Sequence, residues 1–154
     1  MTKINIEECP RCGTHEHKEQ VSMLLTKVAK ELLDRAVAHD KSKLESPEVE
    51  VFDEFTAKLK DTTYGSPEYN EYLEEMKPAL HHHYFTNRHH PEHHEDGIKD
   101  MTLIDLIEMI CDWKAATMRH ADGDISQSVE KNQERFKYTN ELKRIFNNTV
   151  KELK

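Results

Sequence analysis

The residues best suited to chemistry in this sequence are histidines and carboxylates that fall in three separate stretches. The chain has 11 histidines, and seven of them lie between positions 81 and 94. Imidazole is the commonest side-chain ligand for transition metals. Such a tract can also be a solvent-exposed polar segment, but Tyr84, Asn87, Arg88 and Pro91 interrupt this one. The composition of the stretch therefore favours metal ligation.

A second pair of donors, His39-Asp40, stands at the end of a predicted helix. The third stretch contributes Asp112, which lies inside a predicted helix that is mostly apolar. Asp105, Glu108 and Asp112 are spaced at i, i+3 and i+7, so they share one face. That face could be a solvated acidic stripe. However, Cys111, Trp113 and two alanines flank Asp112, and a partly buried carboxylate needs a cation or hydrogen-bond partners.

The order His39-Asp40, then histidines, then the helical Asp112 resembles the HD superfamily of metal-dependent phosphohydrolases. The segment 112–124 also resembles the last-ligand helix of bacterial HD-type 5′-deoxynucleotidases. Nearly the whole chain further resembles an uncharacterised family of small phage and bacterial proteins. The matching segments are residues 39–48, 82–93 and 105–116. This second resemblance brings no known activity with it.

The HD resemblance implies a divalent transition metal that activates water for attack on phosphorus. It implies His39, Asp40 and Asp112 as core ligands. The sequence offers His83 and His90 as the best additional ligands, with His82 and His89 as close alternatives. Mixed nitrogen and oxygen ligation suits Mn, Fe, Co, Ni or Zn better than Ca. The expected substrate is a nucleotide or another small phosphoester.

Cationic and acidic residues beside these ligands are candidates for further roles. Lys43, Arg88 and Arg119 are predicted to bind the phosphate of the substrate, since guanidinium groups suit bidentate phosphate contact. Each of them could equally be an ordinary surface cation. Glu48 and Glu108 are predicted to act as a general acid or base, on proximity in the sequence alone.

His17 is the residue that the HD resemblance implies as the first ligand, because those enzymes usually take it from an early helix. The apolar face from Val21 to Val37 has no Gly, Pro or phase slip. In a continuous helix, His17 and His39 would be about 33 Å apart at 1.5 Å per residue. The periodicity therefore argues against His17 as a ligand of the same ion.

Six helices must position these residues, and the predicted class is all-α: one HD-like bundle over residues 16–154 after an N-terminal segment, 1–15. Apolar residues at steps of three and four predict the first helix up to about Asp40. Ser46-Pro47 and Ser66-Pro67 predict the starts of the second and third helices. Thr102 is predicted to cap the fourth helix, to about Arg119. The fifth and sixth are predicted around residues 125–136 and 140–153.

Composition limits the cellular setting and the partners. The formal net charge of -8 argues against stable binding to a nucleic-acid backbone, which needs clustered Lys and Arg. No apolar run reaches the roughly 18 residues that span a bilayer. Three cysteines and no secretory signal favour the cytoplasm, or the host cytoplasm if the protein is phage-encoded. A homo-oligomer is left open.

Two alternatives compete with this interpretation. Glu74-Glu75 and Glu108 with Asp112 hint at an all-α, Mg-dependent nucleoside triphosphate pyrophosphatase, although Pro78 breaks the expected acidic pattern. A non-catalytic phage-type binding protein could hold a structural metal in a closed shell. Separately, four N-terminal residues could form a small zinc site, and they are Cys9, Cys12, His15 and His17.

Overall fold

The structure is a computed structural model that describes residues 11–62, 66–119 and 123–153, without the side chains of Lys60 and Asp61. Within these residues the fold is all-helical, with no strand, as the sequence predicts. The helices are α1 (Cys12–Ala38), α2 (Glu48–Asp61), α3 (Pro67–Thr86), α4 (Leu103–Thr117), α5 (Ile125–Phe136) and α6 (Asn140–Glu152). Short 3-10 helices occupy residues 41–44, 91–93 and 97–100. Cys9, and with it the suggested N-terminal zinc site, lies outside the described residues.

Local sequence signals account for several helix boundaries. The Ser66 side chain accepts a hydrogen bond from the Tyr69 amide at the start of α3, where Pro67 takes the first helical position. Thr102 and Asp105 form a reciprocal capping box at the start of α4, which satisfies amide groups that a helix end leaves unpaired. Ser46 does not cap α2. The N-cap residue of α2 is Pro47, which makes no side-chain capping bond.

The chain divides into two compact units, Met1–Val37 and Ala38–Lys154. The first unit contains nearly all of α1, which runs without a break from Cys12 to Ala38. The argument against His17, which rests on a continuous helix, therefore stands. The apolar face of α1 is present, but no residue of the helix is buried.

The second unit has its own hydrophobic core, built around α4, α5 and α6. Met109 and Ile110 from α4 pack there with Val129 of α5 and Phe146 of α6, and all four side chains are buried. Their burial from water is the main stabilising contribution. Phe55 of α2 and the α3 residues Met76 and Ala79 are also buried. α4 is thus a central helix, as its apolar composition predicts, and it fixes the carboxylates that it carries.

Candidate metal centre

The candidate site lies within residues 38–154 and takes its side chains from four segments. They are the turn after α1, the last turn of α3, the loop that precedes the 91–93 helix, and α4. In chain order they contribute His39 and Asp40, then His83, then His89 and His90, and finally Glu108 and Asp112. Residues far apart in the sequence are therefore gathered by the packing of this unit.

Asp40 is at the centre of this group and has a special backbone conformation. Its φ of 54° and ψ of 20° lie in the left-handed region, where Asp is one of the few non-glycine residues found with any frequency. Residues held in this region are often part of functional sites. Oδ1 of Asp40 lies 3.4 Å from Nε2 of His83 and 3.4 Å from Nε2 of His89.

Three further donors surround Asp40. Nε2 of His90 is 2.9 Å from Nε2 of His83. Nε2 of His39 lies 3.6 Å from Oδ2 of Asp40 and 3.8 Å from Oδ1 of Asp112. Two ligands of one transition metal, each about 2.0–2.2 Å from the ion, are separated by distances of this order.

Two atoms in this group are buried and have no hydrogen-bond partner: Oδ1 of Asp40 and Nε2 of His89. An unpaired buried polar atom costs about 1–3 kcal/mol, and more when the group is charged. The two atoms lie 3.4 Å apart, and a cation bound to both would satisfy them. This orphaned pair is the clearest sign that the donor set suits a metal ion.

Carboxylates on the far side of the imidazoles fix the direction of the rings. Nδ1 of His83 donates to Oε2 of Glu48 at 2.9 Å. Nδ1 of His39 donates to Oε1 of Glu108 at 2.9 Å, and Nδ1 of His89 lies 3.2 Å from the same oxygen. Each ring therefore turns Nε2 towards Asp40. Metal-binding histidines commonly have this carboxylate–histidine arrangement, which fixes the tautomer and raises ligand basicity.

Glu48 has a network of its own. Its side chain is fully buried and also accepts hydrogen bonds from Ser42 Oγ at 2.9 Å and His82 Nδ1 at 2.7 Å. The Asn87 amide in turn donates to Ser42 Oγ at 2.8 Å. These bonds hold Glu48, and through it His83, in one position.

His39 shows how strongly the group attracts positive charge. Hydrogen bonding to Asp112 and Glu108 raises the pKa of His39 to about 10. By distance, Glu108 is the direct partner at 2.9 Å, whereas Asp112 is 3.8 Å away. The protonated ring then supplies the cation that the carboxylates require. A metal ligand must be neutral, so a metal would have to displace this proton.

Other groups are already in the ionisation state that a metal needs. Burial lowers the pKa of His90 to about 3 and also lowers the pKa of His83, so both rings are neutral near pH 7. Burial acts to raise the pKa of Asp40, but the Lys43 hydrogen bond and nearby positive charges outweigh it and lower that pKa. Burial also acts to raise the pKa of Asp112, but the hydrogen bond with His39 and nearby positive charges outweigh it. The pKa of Asp112 is therefore lowered as well.

The structure places the five ligands predicted from the sequence in two groups that share Asp40: His83 and His90 lie with Asp40 in one group, and His39 and Asp112 lie with Asp40 in the other. It adds His89, which sequence reasoning held only as an alternative. His82 instead points to Glu48 with its side chain 43% exposed. Helical spacing could have distinguished His83 from His82, because His83 shares the buried face of α3 with Met76 and Ala79. No comparable periodicity identifies His89, which lies in a loop.

The residues predicted to bind substrate have three different environments. Lys43 lies beside the cluster, with Nζ 2.7 Å from Oδ2 of Asp40. Arg88 makes a two-pronged contact with the buried carboxylate of Asp105 at 3.1 and 3.2 Å, which ties the histidine loop to the start of α4. Arg119 is exposed just beyond the end of α4. Of these three residues, only Lys43 therefore lies beside the candidate ligands, where a residue that binds the substrate phosphate is expected.

Glu48 and Glu108, predicted as a general acid or base, take positions that favour another role. Glu48 is fully buried and Glu108 is nearly so, and both are bonded to Nδ1 atoms of cluster histidines. A carboxylate engaged in this way orients a ligand. Glu74 and Glu75, which suggested a pyrophosphatase, are exposed on α3 and belong to none of the groups of potential ligands in the described part of the chain.

Residues 38–154 thus form an all-α unit around a cluster of histidines and carboxylates. The chain belongs to the family described as "Family of unknown function (DUF5662)", whose model matches residues 8–154. No curated protein and no solved structure matches the chain. Among the described residues, no helix is both long and apolar enough to cross a membrane.

Proposed function

We propose that this protein is a metal-dependent phosphohydrolase that acts on a nucleotide or another small phosphoester. The observation that carries the proposal is the orphaned pair, Asp40 Oδ1 and His89 Nε2, at the centre of a set of converging imidazoles and carboxylates. The sequence resemblance to HD phosphohydrolases supports the reaction class.

The proposed metal ligands are His39, Asp40, His83, His89, His90 and Asp112. Mixed imidazole and carboxylate ligation favours Mn, Fe, Co, Ni or Zn. Such an ion lowers the pKa of a bound water and neutralises charge that develops on phosphate oxygens. The protein contributes by orienting the ligands through Glu48 and Glu108.

Lys43 is the best-placed residue for contact with the phosphate. Its ammonium group is 2.7 Å from Asp40 and 5.2 Å from the centre of the Phe52 ring. Its side chain is 35% exposed, so it can reach a molecule that enters from solvent. A flexible ammonium suits a phosphate oxygen as a point charge. The chain has a net negative charge, so a local cation such as Lys43 favours the approach of an anionic substrate.

Phosphate release from a panel of nucleoside monophosphates and simple phosphoesters tests the proposal. The protein should be purified without a histidine tag and assayed with Mn²⁺ or Co²⁺. We expect hydrolysis of at least one phosphoester, and its loss in His39→Ala and Asp112→Ala. His81→Ala is a matched control, because His81 is exposed and stacks on Phe85 outside the cluster.

Two results would contradict the proposal. One is activity that survives both ligand substitutions, which would place the chemistry elsewhere. The other is a protein that binds metal at this cluster but hydrolyses none of the panel while the ion stays inaccessible to small chelators. That result would indicate a closed structural site and hence a binding protein.

A further inference from the structure

The histidine loop, residues 87–94, carries two of the proposed metal ligands outside any α-helix. Both are turned inwards. His89 is 2% exposed, and Nε2 of His90 lies 2.9 Å from Nε2 of His83. A loop has no ladder of helical hydrogen bonds to set the direction of its side chains, so other contacts must hold these two rings beside Asp40.

Arg88, which directly precedes the two ligands, is held by both its side chain and its backbone. Its Nε and Nη2 donate to the two carboxylate oxygens of Asp105 at 3.2 and 3.1 Å. Its carbonyl oxygen accepts a hydrogen bond from Nε2 of His94 at 2.9 Å. A bidentate contact between guanidinium and carboxylate fixes orientation as well as distance. The position of Arg88 is therefore set relative to α4 and to the end of its own loop.

Asp105 is a firm anchor for this contact. Its side chain is fully buried, and Oδ2 also accepts from the backbone amide and the hydroxyl of Thr102 at 2.9 and 2.8 Å. Asp105, Glu108 and Asp112 share one face of α4, at steps of three and four residues. One face of this helix therefore holds the histidine loop and also contributes two carboxylates to the metal centre.

We propose that Arg88 is a positioning residue of the metal centre, which brings His89 and His90 to Asp40 by clamping the histidine loop to Asp105. The inference rests on the proposed metal centre but not on the proposed reaction. Positioning and charge have opposite signs here. A cation near the site repels a metal ion, so removal of Arg88 should tighten metal binding if charge dominates and weaken it if positioning dominates.

Calorimetry with Zn²⁺ on the untagged full chain, comparing the wild type with Arg88→Met, tests this sign. Methionine replaces part of the apolar arginine stem but cannot bond to Asp105. We expect the metal dissociation constant to rise about 10- to 100-fold, as for other residues that orient metal-bound histidines. Arg88→Lys keeps the charge but not the two-pronged contact, so we expect a smaller rise, about 3- to 10-fold. Circular dichroism of the metal-free variants should confirm that they are still helical.

Arg135→Met is the matched control. Arg135 also pairs with a carboxylate of the histidine loop, Glu92, at 2.6 Å, but Glu92 is 29% exposed and lies beyond both ligands in the chain. We expect a metal dissociation constant within about twofold of the wild-type value, because partly exposed ion pairs contribute little.

The visible absorption of Co²⁺ at saturation adds a measurement that a loss of stability alone does not change. Without the clamp the loop takes more than one position, and water replaces an imidazole in part of the molecules. We therefore expect an altered Co²⁺ spectrum in Arg88→Met and the wild-type spectrum in Arg135→Met.

Four results would overturn the inference. In the first two, the wild type binds metal and Arg88→Met either binds it at least as tightly or keeps the wild-type Co²⁺ spectrum; both leave the metal centre intact. The third is an equal loss of affinity in Arg88→Met and Arg135→Met, which would indicate a general effect of loop contacts. The fourth, a wild-type protein that binds no metal, would overturn the metal centre as well. If Arg88→Met fails to fold, Arg88→Lys decides the matter, and wild-type affinity in that variant would overturn the inference.

Discussion

Oδ1 of Asp40 and Nε2 of His89 lie 3.4 Å apart, and each is a buried atom without a hydrogen-bond partner. Both residues are fixed by the surrounding structure. Asp40 is held in a left-handed turn, and Nδ1 of His89 faces Glu108. Oδ2 of Asp40 is also 2.7 Å from Nζ of Lys43, so neither side chain can rotate without losing a contact. A cation bound to both unpaired atoms would satisfy them.

Glu48→Gln tests whether the buried carboxylate orients His83 for a metal. The amide that replaces Glu48 cannot accept from both His82 Nδ1 and His83 Nδ1, which the carboxylate oxygens contact at 2.7 and 2.9 Å. We expect the metal dissociation constant to rise by about 10- to 100-fold, as for other partners of metal-bound histidines. Titration calorimetry with Zn²⁺ or Mn²⁺ measures the change.

Glu50→Gln is the control for this substitution, because Glu50 is exposed in the same first turn of α2. It removes the same charge without touching a histidine ring. Equal metal affinity in the two variants would show that Glu48 has no orienting role.

Lys43→Met tests whether the ammonium group competes with the metal for Asp40. Nζ of Lys43 is 2.7 Å from Oδ2 of Asp40. The substitution therefore frees this carboxylate oxygen and also removes a positive charge next to the metal site. We expect metal to bind about 3- to 30-fold more tightly, while KM for a phosphoester rises because a phosphate contact is lost. Calorimetry and steady-state kinetics measure the two effects separately.

Lys41→Met should change neither quantity by more than about twofold. Lys41 is 71% exposed and pairs with Glu45 at 3.4 Å, and exposed pairs of this kind contribute about 0–1 kcal/mol. If Lys43→Met behaves like Lys41→Met in metal binding, Lys43 does not compete for the site.

Metal binding should release a proton from His39 at neutral pH. Its hydrogen bonds to Asp112 and Glu108 raise the pKa of His39 to about 10 in the metal-free protein, so the ring is protonated at pH 7.5. Ligation requires the neutral ring, and the affinity for metal should therefore rise with pH up to about pH 10. Calorimetry at pH 7.5 in buffers of different ionisation enthalpy should show about one proton released per ion. In His39→Ala the release should fall by about that amount, and an unchanged value would exclude His39 as a ligand.

The sequence anticipates most of the fold because its helix signals are local. Ser66-Pro67 and the Thr102–Asp105 box mark helix starts through contacts within one turn. The burial of an apolar face depends on tertiary packing instead, and periodicity alone could not show that α1 has no buried residue.

The candidate site was predictable where its donors lie on helices or at helix ends. The sequence places His39 and Asp40 at the end of one predicted helix and Asp112 inside another, and the structure brings the three residues together. His89 lies in a loop without periodicity, so only tertiary structure shows that it is buried beside Asp40. The orienting role of Glu48 was hidden for the same reason, because its partner His83 is 35 residues away in the sequence.

The most direct measurement is the metal content and metal affinity of the untagged protein, by elemental analysis after purification and by calorimetry with Mn²⁺, Co²⁺ and Zn²⁺. The wild-type protein should bind at least one of these ions stoichiometrically. His89→Ala and Asp40→Ala should weaken that binding by at least about 100-fold, while His81→Ala leaves it unchanged. A wild-type protein that neither purifies with a transition metal nor binds one on addition would contradict the proposed metal centre.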